Sequence, residues 1–357
     1  MTGHRPVVAR ISGVALAHNL DVVRQYAPDA NILAVVKADA YGHGLSHVLP
    51  FLASADGFAV VGLDAAIQCR AAFADKPVVL LEGPFDAAEL ALIAEHRLTP
   101  VIHSGWQIKL MENRPLPAIS SVVLKFNTGM NRLGFDAAAG RLAHGRLASI
   151  AGVNSIMLMS HLACADDLDN DFTRLQVQRF ESATASLPGE KSLANSAAVA
   201  GWPETHYQWL RPGIMLYGSS PILLHAAVDL GLRPVMTLKS RLIAVQSLKK
   251  GDAVGYGQTW TCPEDMSVGI VACGYGDGYP RHAPSGTPVL VNGQRAALAG
   301  RVSMDMLAVD LRGVQAQVND EVILWGDGLP VDEVAAAAGT IAYELLTGVT
   351  VRVPRVG

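Results

Sequence analysis

Eight apolar runs alternate with helix-like segments along the first two thirds of the chain, and this alternation constrains the fold more than any other feature. The runs lack strict polar alternation, as expected for parallel strands that are buried on both faces. Eight such strands separated by helices predict an α/β fold, a closed (β/α)8 TIM-like barrel. The runs cover residues 32–37, 57–61, 78–81, 100–103, 122–127, 155–161, 192–195 and 213–217, and Trp209 either extends or precedes the last one.

The pattern changes after Leu230, where short runs are separated by Gly, Pro and Asp turns, which indicates a mainly β region. We therefore expect a barrel domain at residues 12–229 and a mainly β domain at 230–357. Residues 6–11 are predicted to form a strand that joins the β domain. The β runs cover residues 237–247, 267–273, 288–291, 296–299, 307–311 and 321–324, and helical patterns follow at 331–338 and 341–346.

Charge and composition favour a small-molecule substrate. The 28 Lys and Arg residues against 32 Asp and Glu residues give a net charge of −4 without a basic block, which argues against nucleic acid or an anionic membrane as the partner. Half of the residues are apolar and 17% are charged, so we expect a homodimer that hides part of the surface.

Neither a membrane span nor an export signal is predicted. The longest stretch without a formal charge, residues 147–165, is interrupted by Ser, Asn and His side chains. Residues 1–6 are followed by no apolar core of the signal-peptide type, so we expect a cytoplasmic protein.

Lys37 ends the first run, where an ammonium must be paired, deprotonated or used covalently, because leaving it unpaired in an apolar site is costly. A desolvated lysine with a lowered pKa suits Schiff-base chemistry. The alternative is a lysine whose amine reaches past the strand end into solvent. Tyr41, in a Gly-flanked turn four residues on, supplies a phenol that can hold an anion beside Lys37.

Residues 35–44, Val-Val-Lys-Ala-Asp-Ala-Tyr-Gly-His-Gly, resemble the pyridoxal phosphate attachment motif of the alanine racemase family, a fold type III family. The resemblance implies that Lys37 binds pyridoxal 5'-phosphate (PLP). It implies interconversion of L- and D-alanine by two-base proton transfer, which serves either D-alanine supply for peptidoglycan or alanine breakdown. It further implies a homodimer in which the two subunits share each active site.

The cofactor contacts follow from this resemblance and from the barrel. Barrels commonly bind phosphate after strands seven and eight, near Ser196 and Gly213. Arg211, expected to open the eighth run, keeps its proton near neutral pH, so beside the pyridine nitrogen it makes the ring a weaker electron sink. The resemblance assigns this role to Arg211 and assigns phosphate contacts to Tyr41, Ser196, Gly213, Ile214 and Tyr343.

Racemisation needs a second acid–base group, since Lys37 serves only one face of the α-carbon. Residues 254–259, Val-Gly-Tyr-Gly-Gln-Thr, resemble the motif with the catalytic tyrosine, so Tyr256 is the candidate. A free phenol has a pKa near 10 and needs a cationic environment to act as a base. The resemblance implies that His161 and Arg211 form its relay.

Three further segments resemble family motifs that bind substrate, at residues 124–135, 274–281 and 300–306. The resemblance implies that Arg132 touches the substrate carboxylate, that Tyr275 lies at the entrance and that Met304 offers its backbone N–H. Lys125 matches a lysine that is carbamylated in members of the family. The resemblance also implies that Tyr256, Tyr275 and Met304 come from the other subunit.

Two other functions stay open. A barrel-type PLP decarboxylase of basic amino acids shares the cofactor lysine but needs an acidic pocket, and a non-catalytic PLP-binding protein needs only the barrel. No metal site is predicted, because His43 and His47 lack the intervening Glu of a zinc motif and residues 166–171 lack the glycine and glutamate of a calcium loop.

Overall fold

The structure, a computed structural model, describes residues 5–112 and 119–357. Residues 1–4 lie outside this range. They belong to the segment 1–6 from which a cytoplasmic location was predicted. Among the described residues, no helix has the length and apolar character needed to cross a bilayer.

Eight parallel strands form the closed barrel that the sequence predicts. The pairing of Asn31 with Trp209 closes the ring between the first and last strands. All residues of Gly57–Val60, Val78–Leu80 and Thr99–Ile102 are buried, which explains why these segments show no polar alternation. The barrel strands are Asn31–Val35, Gly57–Val60, Val78–Leu80, Thr99–Ile102, Ser121–Lys125, Ser155–Met159, Lys191–Asn195 and Trp209–Arg211.

The prediction for the eighth strand was wrong. The strand is Trp209–Arg211, so Arg211 ends it rather than opening it, and the predicted run 213–217 contains the 3-10 helix Ile214–Tyr217. Every residue of this short helix is buried. A short, continuous apolar run cannot be assigned from periodicity alone, because a buried strand and a buried helical turn have the same composition.

Helices connect the barrel strands and cover its outer face. Several begin with side-chain caps; for example, the Asp136 carboxylate accepts the backbone N–H of Ala139 at 2.8 Å. The helices are Gly13–Tyr26, Leu45–Val48, Leu63–Ala72, Ala87–Glu95, Gly105–Glu112, Ala137–Ala148, Phe172–Thr184 and Ser196–Gly201, followed after the barrel by Val331–Ala338 and Ala342–Gly348. The segment Lys37–Tyr41 is a left-handed turn rather than an α-helix.

An eight-stranded, mostly antiparallel sheet follows the barrel and includes both ends of the chain. The strand Val8–Ile11 pairs antiparallel with Met236–Leu248 and parallel with Arg355–Val356. A separate short hairpin, Ala253–Val254 with Trp260–Thr261, holds Tyr256 in its loop. The remaining strands of the large sheet are Met266–Val271, Pro288–Val291, Gln294–Leu298, Leu307–Asp310 and Glu321–Trp325.

Candidate active site

The ends of the barrel strands open into a cavity of about 1040 Å³. Parallel barrel strands bring their carboxyl ends to one face, so residues distant in sequence meet there. The predicted site residues that line the cavity are Lys37, Tyr41, Lys125, Arg132, His161, Ser196, Arg211, Gly213, Ile214 and Tyr343. Three predicted site residues, Tyr256, Tyr275 and Met304, are not among its lining residues.

Lys37 lies two residues beyond its strand, not within it as the sequence suggested, and opens a left-handed turn. Ala38 to Tyr41 all have φ between 53° and 54°, a conformation that costs an L-residue roughly 1–2 kcal/mol. Local hydrogen bonds hold the turn, since the Asp39 carboxylate accepts the N–H of Leu45 at 2.7 Å and the N–H of Gly42 donates to the carbonyl of Ala38 at 2.9 Å. Strain held in this way is typical of functional sites.

The environment of Lys37 lowers the pKa of its amine. Burial and then the nearby Arg132 guanidinium lower the pKa of Lys37, and the Glu82 carboxylate opposes them. Within residues 5–112 and 119–357, no hydrogen-bond partner of the Lys37 amine is found. A half-buried, unengaged amine with a lowered pKa is a competent nucleophile toward an aldehyde.

Ser196, Gly213 and Tyr41 form a cradle that fits a phosphate group. The Ser196 hydroxyl accepts the N–H of Gly213 at 2.8 Å, and a Cβ at Gly213 would lie 2.3 Å from the Tyr41 hydroxyl oxygen. Burial raises the pKa of Tyr41 to about 12, so its phenol remains a donor at neutral pH. The ring of Tyr343 lies 6.0 Å from that of Tyr41. These hydroxyls and the glycine backbone suit an anion.

Arg211 is buried and held from several directions. Its Nη1 donates to the Ser192 hydroxyl at 2.5 Å, and its Nη2 donates to the carbonyls of Ser160 at 2.7 Å and Leu193 at 3.2 Å. Burial lowers the pKa of Arg211 to about 10, which still leaves it protonated at neutral pH. The structure therefore fixes a cationic donor in the cavity wall.

His161 lies beside Arg211 and is neutral. Its Nδ1 is 3.4 Å from Nη2 of Arg211, so Nδ1 is the acceptor and Nε2 carries the proton. Burial, followed by the charge of Arg211 and of neighbouring cations, lowers the pKa of His161 well below its usual value. A neutral imidazole that accepts a hydrogen bond from a guanidinium becomes a stronger donor at its Nε2–H. The positive charge of Arg211 can therefore act, through His161, on a group that accepts from Nε2–H.

Lys125 is buried among cations. Burial is the main reason that its pKa falls to about 8, and Arg211, Arg132 and Lys37 lower it further. Glu82 is the carboxylate that opposes this trend at both lysines, and it also lines the cavity. Sequence reasoning missed Glu82, although it directly follows the run 78–81 and the strand-end rule that selected His161 would have found it.

Tyr256, Tyr275 and Met304 lie on the surface, with side chains that are 68%, 39% and 53% exposed. The segments that carry Tyr275 and Met304 are hydrogen-bonded to each other. The N–H of Tyr275 donates to the Ser303 carbonyl at 3.0 Å, and the N–H of Gly276 donates to the Met304 carbonyl at 2.8 Å. Exposed aromatic and methionine side chains of this kind are typical of interfaces.

Two family models match both parts of the chain, the barrel and the mainly β region that follows it. The family model "Alanine racemase, N-terminal domain" matches residues 11–221, and "Alanine racemase, C-terminal domain" matches residues 235–357. The alanine racemase of Nitrosomonas eutropha is 51% identical, over 99% of this chain and 99% of that protein.

Solved structures agree with these matches. The biosynthetic alanine racemase of Pseudomonas aeruginosa is 50% identical, with a TM-score of 0.96 over 98% of this chain and 99% of that one. The alanine racemase of Bartonella henselae, solved with covalently bound pyridoxal phosphate, is 27% identical, with a TM-score of 0.88 over 98% and 99% of the two chains. The chain belongs to the alanine racemase family, whose members are PLP-dependent isomerases that interconvert L- and D-alanine.

Proposed function

We propose that this chain racemises alanine with two acid–base groups from different subunits, Lys37 acting on the D face of the α-carbon and Tyr256 of a second copy acting on the L face. One observation carries the proposal. Lys37 lines the cavity, whereas Tyr256 is 68% exposed outside it, which supports a site that is completed by a second copy. The proposed mechanism therefore includes a homodimer with shared active sites.

The residues around Lys37 fit PLP. Tyr41, Ser196, Gly213, Ile214 and Tyr343 would hold its phosphate, and Lys37 would bond its aldehyde carbon. When bound, PLP supplies an electron sink that acidifies the α-hydrogen of an attached amino acid.

Arg211 would donate to the pyridine nitrogen of PLP without protonating it. Its Nη1 and Nη2 already have protein partners, and no partner of its Nε–H is found within residues 5–112 and 119–357. Because arginine keeps its own proton, this contact limits electron withdrawal and so limits transamination.

The remaining residues serve proton movement and substrate binding. His161, through its Nε2–H, would stabilise the Tyr256 phenolate of the partner, with Arg211 behind it as the fixed cation. Arg132 would bind the substrate carboxylate. The Met304 backbone N–H and the Tyr275 side chain of the second subunit would border the substrate.

Lys125 is our candidate for carbamylation. With a pKa near 8, part of it is a neutral amine at physiological pH that can add to carbon dioxide, with release of a proton. The resulting anion would replace one of the crowded cations and orient Arg132. Labelled bicarbonate should therefore give a carbamate signal in the native enzyme that a Lys125→Met variant lacks.

The domain roles and location complete the proposal. We assign PLP binding mainly to a barrel domain at residues 12–229. The mainly β domain at 230–357 would supply the phosphate contact of Tyr343 and the residues donated to the partner. The absence of a basic block and the mild net charge of −4 suit a small amino acid as the substrate rather than nucleic acid. We propose that the enzyme acts in the cytoplasm.

The test is α-hydrogen exchange in deuterium oxide with each enantiomer of alanine. Tyr256→Phe should slow exchange from L-alanine by about a hundredfold or more, while Lys37 still exchanges the hydrogen of D-alanine and the cofactor absorbance stays. Tyr207→Phe, which removes a phenol that donates to Glu181 outside the cavity, is the matched control. Equal exchange from both enantiomers in Tyr256→Phe would remove Tyr256 from the mechanism. Carbon dioxide release from lysine, arginine or ornithine would favour a decarboxylase instead.

A further inference from the structure

Four charged side chains join the turn that carries Tyr275 to the segment that carries Met304. We call this cluster the charge clamp. Its positive members come from regions near the two ends of the chain, and each negative member lies within two residues of Tyr275 or Met304. The charge clamp consists of Arg5, Asp277, Asp305 and Arg352.

Asp277 is the centre of the charge clamp, with a side chain that is 0% exposed. Its Oδ2 accepts Nη2 of Arg5 at 3.0 Å and the N–H of Gly274 at 3.0 Å, and its Oδ1 accepts Nε of Arg352 at 2.7 Å. A fully buried carboxylate is costly unless it is paired and hydrogen-bonded, and here both oxygens are satisfied. The Asp277 carboxylate thereby fixes the 3-10 helix Tyr275–Asp277, of which it is the last residue, to Gly274 and to both arginines.

Asp305 connects the second segment to the same arginines. It follows Met304 directly, and its carboxylate lies 2.5 Å from Nη2 of Arg352 and 3.8 Å from Nη1 of Arg5. Arg5 also donates to the Asp305 backbone carbonyl at 3.0 Å. Both arginines therefore bridge the two carboxylates, so the two surface segments cannot shift independently.

Two hydrogen bonds from Thr350 add to the charge clamp. The Thr350 hydroxyl donates to the carbonyl of Gly276 at 2.9 Å, and the N–H of Thr350 donates to the carbonyl of Asp277 at 3.1 Å. The turn with Tyr275 is thus held by side chains and by backbone from the last residues of the chain. Its only exposed large side chain is Tyr275 itself.

We propose that Asp277 is a positioning residue for the racemisation reaction, which sets, through the charge clamp, the places of Tyr275 and Met304 in the partner's active site. The inference rests on the proposed function of these two residues. Asp277 does not touch the substrate; it acts by fixing the distance between two groups that border it. Misplacement of such groups weakens substrate binding before it affects the cofactor, because none of the proposed cofactor contacts belongs to the charge clamp.

The test compares full-length, PLP-loaded dimers of wild type, Asp277→Asn and Asp305→Asn. Removing one charge should raise the KM for alanine about tenfold in Asp277→Asn, with kcat within about twofold and the cofactor absorbance unchanged. Asp305→Asn should shift KM in the same direction, and its half-exposed side chain keeps the measurement available if Asp277→Asn folds poorly. The matched control is Asp310→Asn, which breaks a 2.7 Å pair with Arg312 at the opposite end of the strand from Met304 and should leave KM unchanged.

A double-mutant comparison separates this inference from the proposed function. If Asp277 acts through Tyr275, then Asp277→Asn should add little to the KM of a Tyr275→Ala enzyme. A raised KM in Tyr275→Ala combined with a wild-type KM in both aspartate variants, or full additivity in the double variant, would overturn the inference alone. A wild-type KM in Tyr275→Ala would overturn the proposed role of Tyr275, and the inference with it.

Discussion

Gly213 is the residue at which backbone geometry bears most directly on the proposed binding of the cofactor. A Cβ at this position would lie 2.3 Å from the Tyr41 hydroxyl, and Tyr41 cannot easily move because its ring stacks on Tyr217 at 4.7 Å. Gly213→Ala should therefore weaken PLP binding by about tenfold or more, as measured by titration of the visible absorbance.

The control for this change is Gly145→Ala. Gly145 is an exposed helical glycine with nothing within 4 Å of an added Cβ, so the substitution should preserve PLP affinity and slightly stabilise its helix. Unchanged PLP affinity in Gly213→Ala would show that the cradle does not bind the phosphate.

His43 gives the protein an acid-sensitive residue behind the cofactor cradle. Its Nδ1 donates to the carbonyls of Ala40 and Tyr41 at 3.0 and 2.9 Å, and burial lowers its pKa to about 4. Because the unfolded state binds the proton more tightly, stability is full above pH about 6.5 and falls by up to about 3 kcal/mol as the pH drops to about 4.

We expect His43→Asn to flatten this acid limb, since asparagine retains a donor but does not titrate. The measurement is the free energy of unfolding in urea between pH 7 and about 4. The exposed His225, changed to Asn, is the control and should leave the slope as in wild type. An equally steep acid limb in His43→Asn would assign the pH dependence to other groups.

The left-handed turn after Lys37 is the element with the least favourable backbone. Ala38 is exposed and has φ of 53°, so its Cβ contributes strain without packing energy. Ala38→Gly should relieve this strain and stabilise the protein by about 0.5–1 kcal/mol, after allowance for the greater freedom of glycine in the unfolded chain.

The comparison for this turn is Ala91→Gly in the helix Ala87–Glu95, which should cost about 1 kcal/mol because alanine is favoured there. Thermal unfolding should show a gain of stability in Ala38→Gly and a loss of stability in Ala91→Gly. A loss of stability in Ala38→Gly as large as in Ala91→Gly would contradict the assignment of strain to the turn.

The elements also show where sequence reasoning succeeds. Seven of the eight predicted barrel runs coincide with strands, because parallel strands buried on both faces leave a continuous apolar signal. The strand Trp209–Arg211 was harder to detect, since it is three residues long and is followed by the apolar helix Ile214–Tyr217. Length and composition do not separate such segments.

The site was predictable where side chains follow strands and was missed where contacts are tertiary. Lys37, His161 and Arg132 follow barrel strands, so the barrel alone brings them to one face. Asp277 could not be assigned in this way, because its partners Arg5 and Arg352 are about 270 and 75 residues distant in sequence. The left-handed turn was equally hidden, since Ala-Asp-Ala carries no glycine signal.

At the scale of the whole molecule, the proposed sharing of the site predicts complementation between inactive variants. Lys37→Ala removes the lysine that each subunit places in its own cavity, and Tyr256→Phe removes the phenol that each subunit gives to its partner. A mixed dimer of the two variants therefore has one site with both Lys37 and Tyr256 intact. Unfolding and refolding an equal mixture should restore about a quarter of wild-type activity, if subunits pair at random.

Two barrel-side variants provide the control. Lys37→Ala mixed with Arg211→Gln should restore nothing, because both lesions lie in the cavity of their own subunit. No recovery in the first mixture, with mixed dimers demonstrated by mass, would show that each subunit works with its own Tyr256.

The strand Val8–Ile11 has a consequence for biosynthesis. Its neighbours in the sheet are Met236–Leu248 and Arg355–Val356, so this strand waits for a partner until more than two hundred further residues have been translated. The barrel segments, which pair with near neighbours, can assemble during that delay. A chain released after Arg211 but before Met236 would therefore carry all eight barrel strands and an unpaired Val8–Ile11 strand.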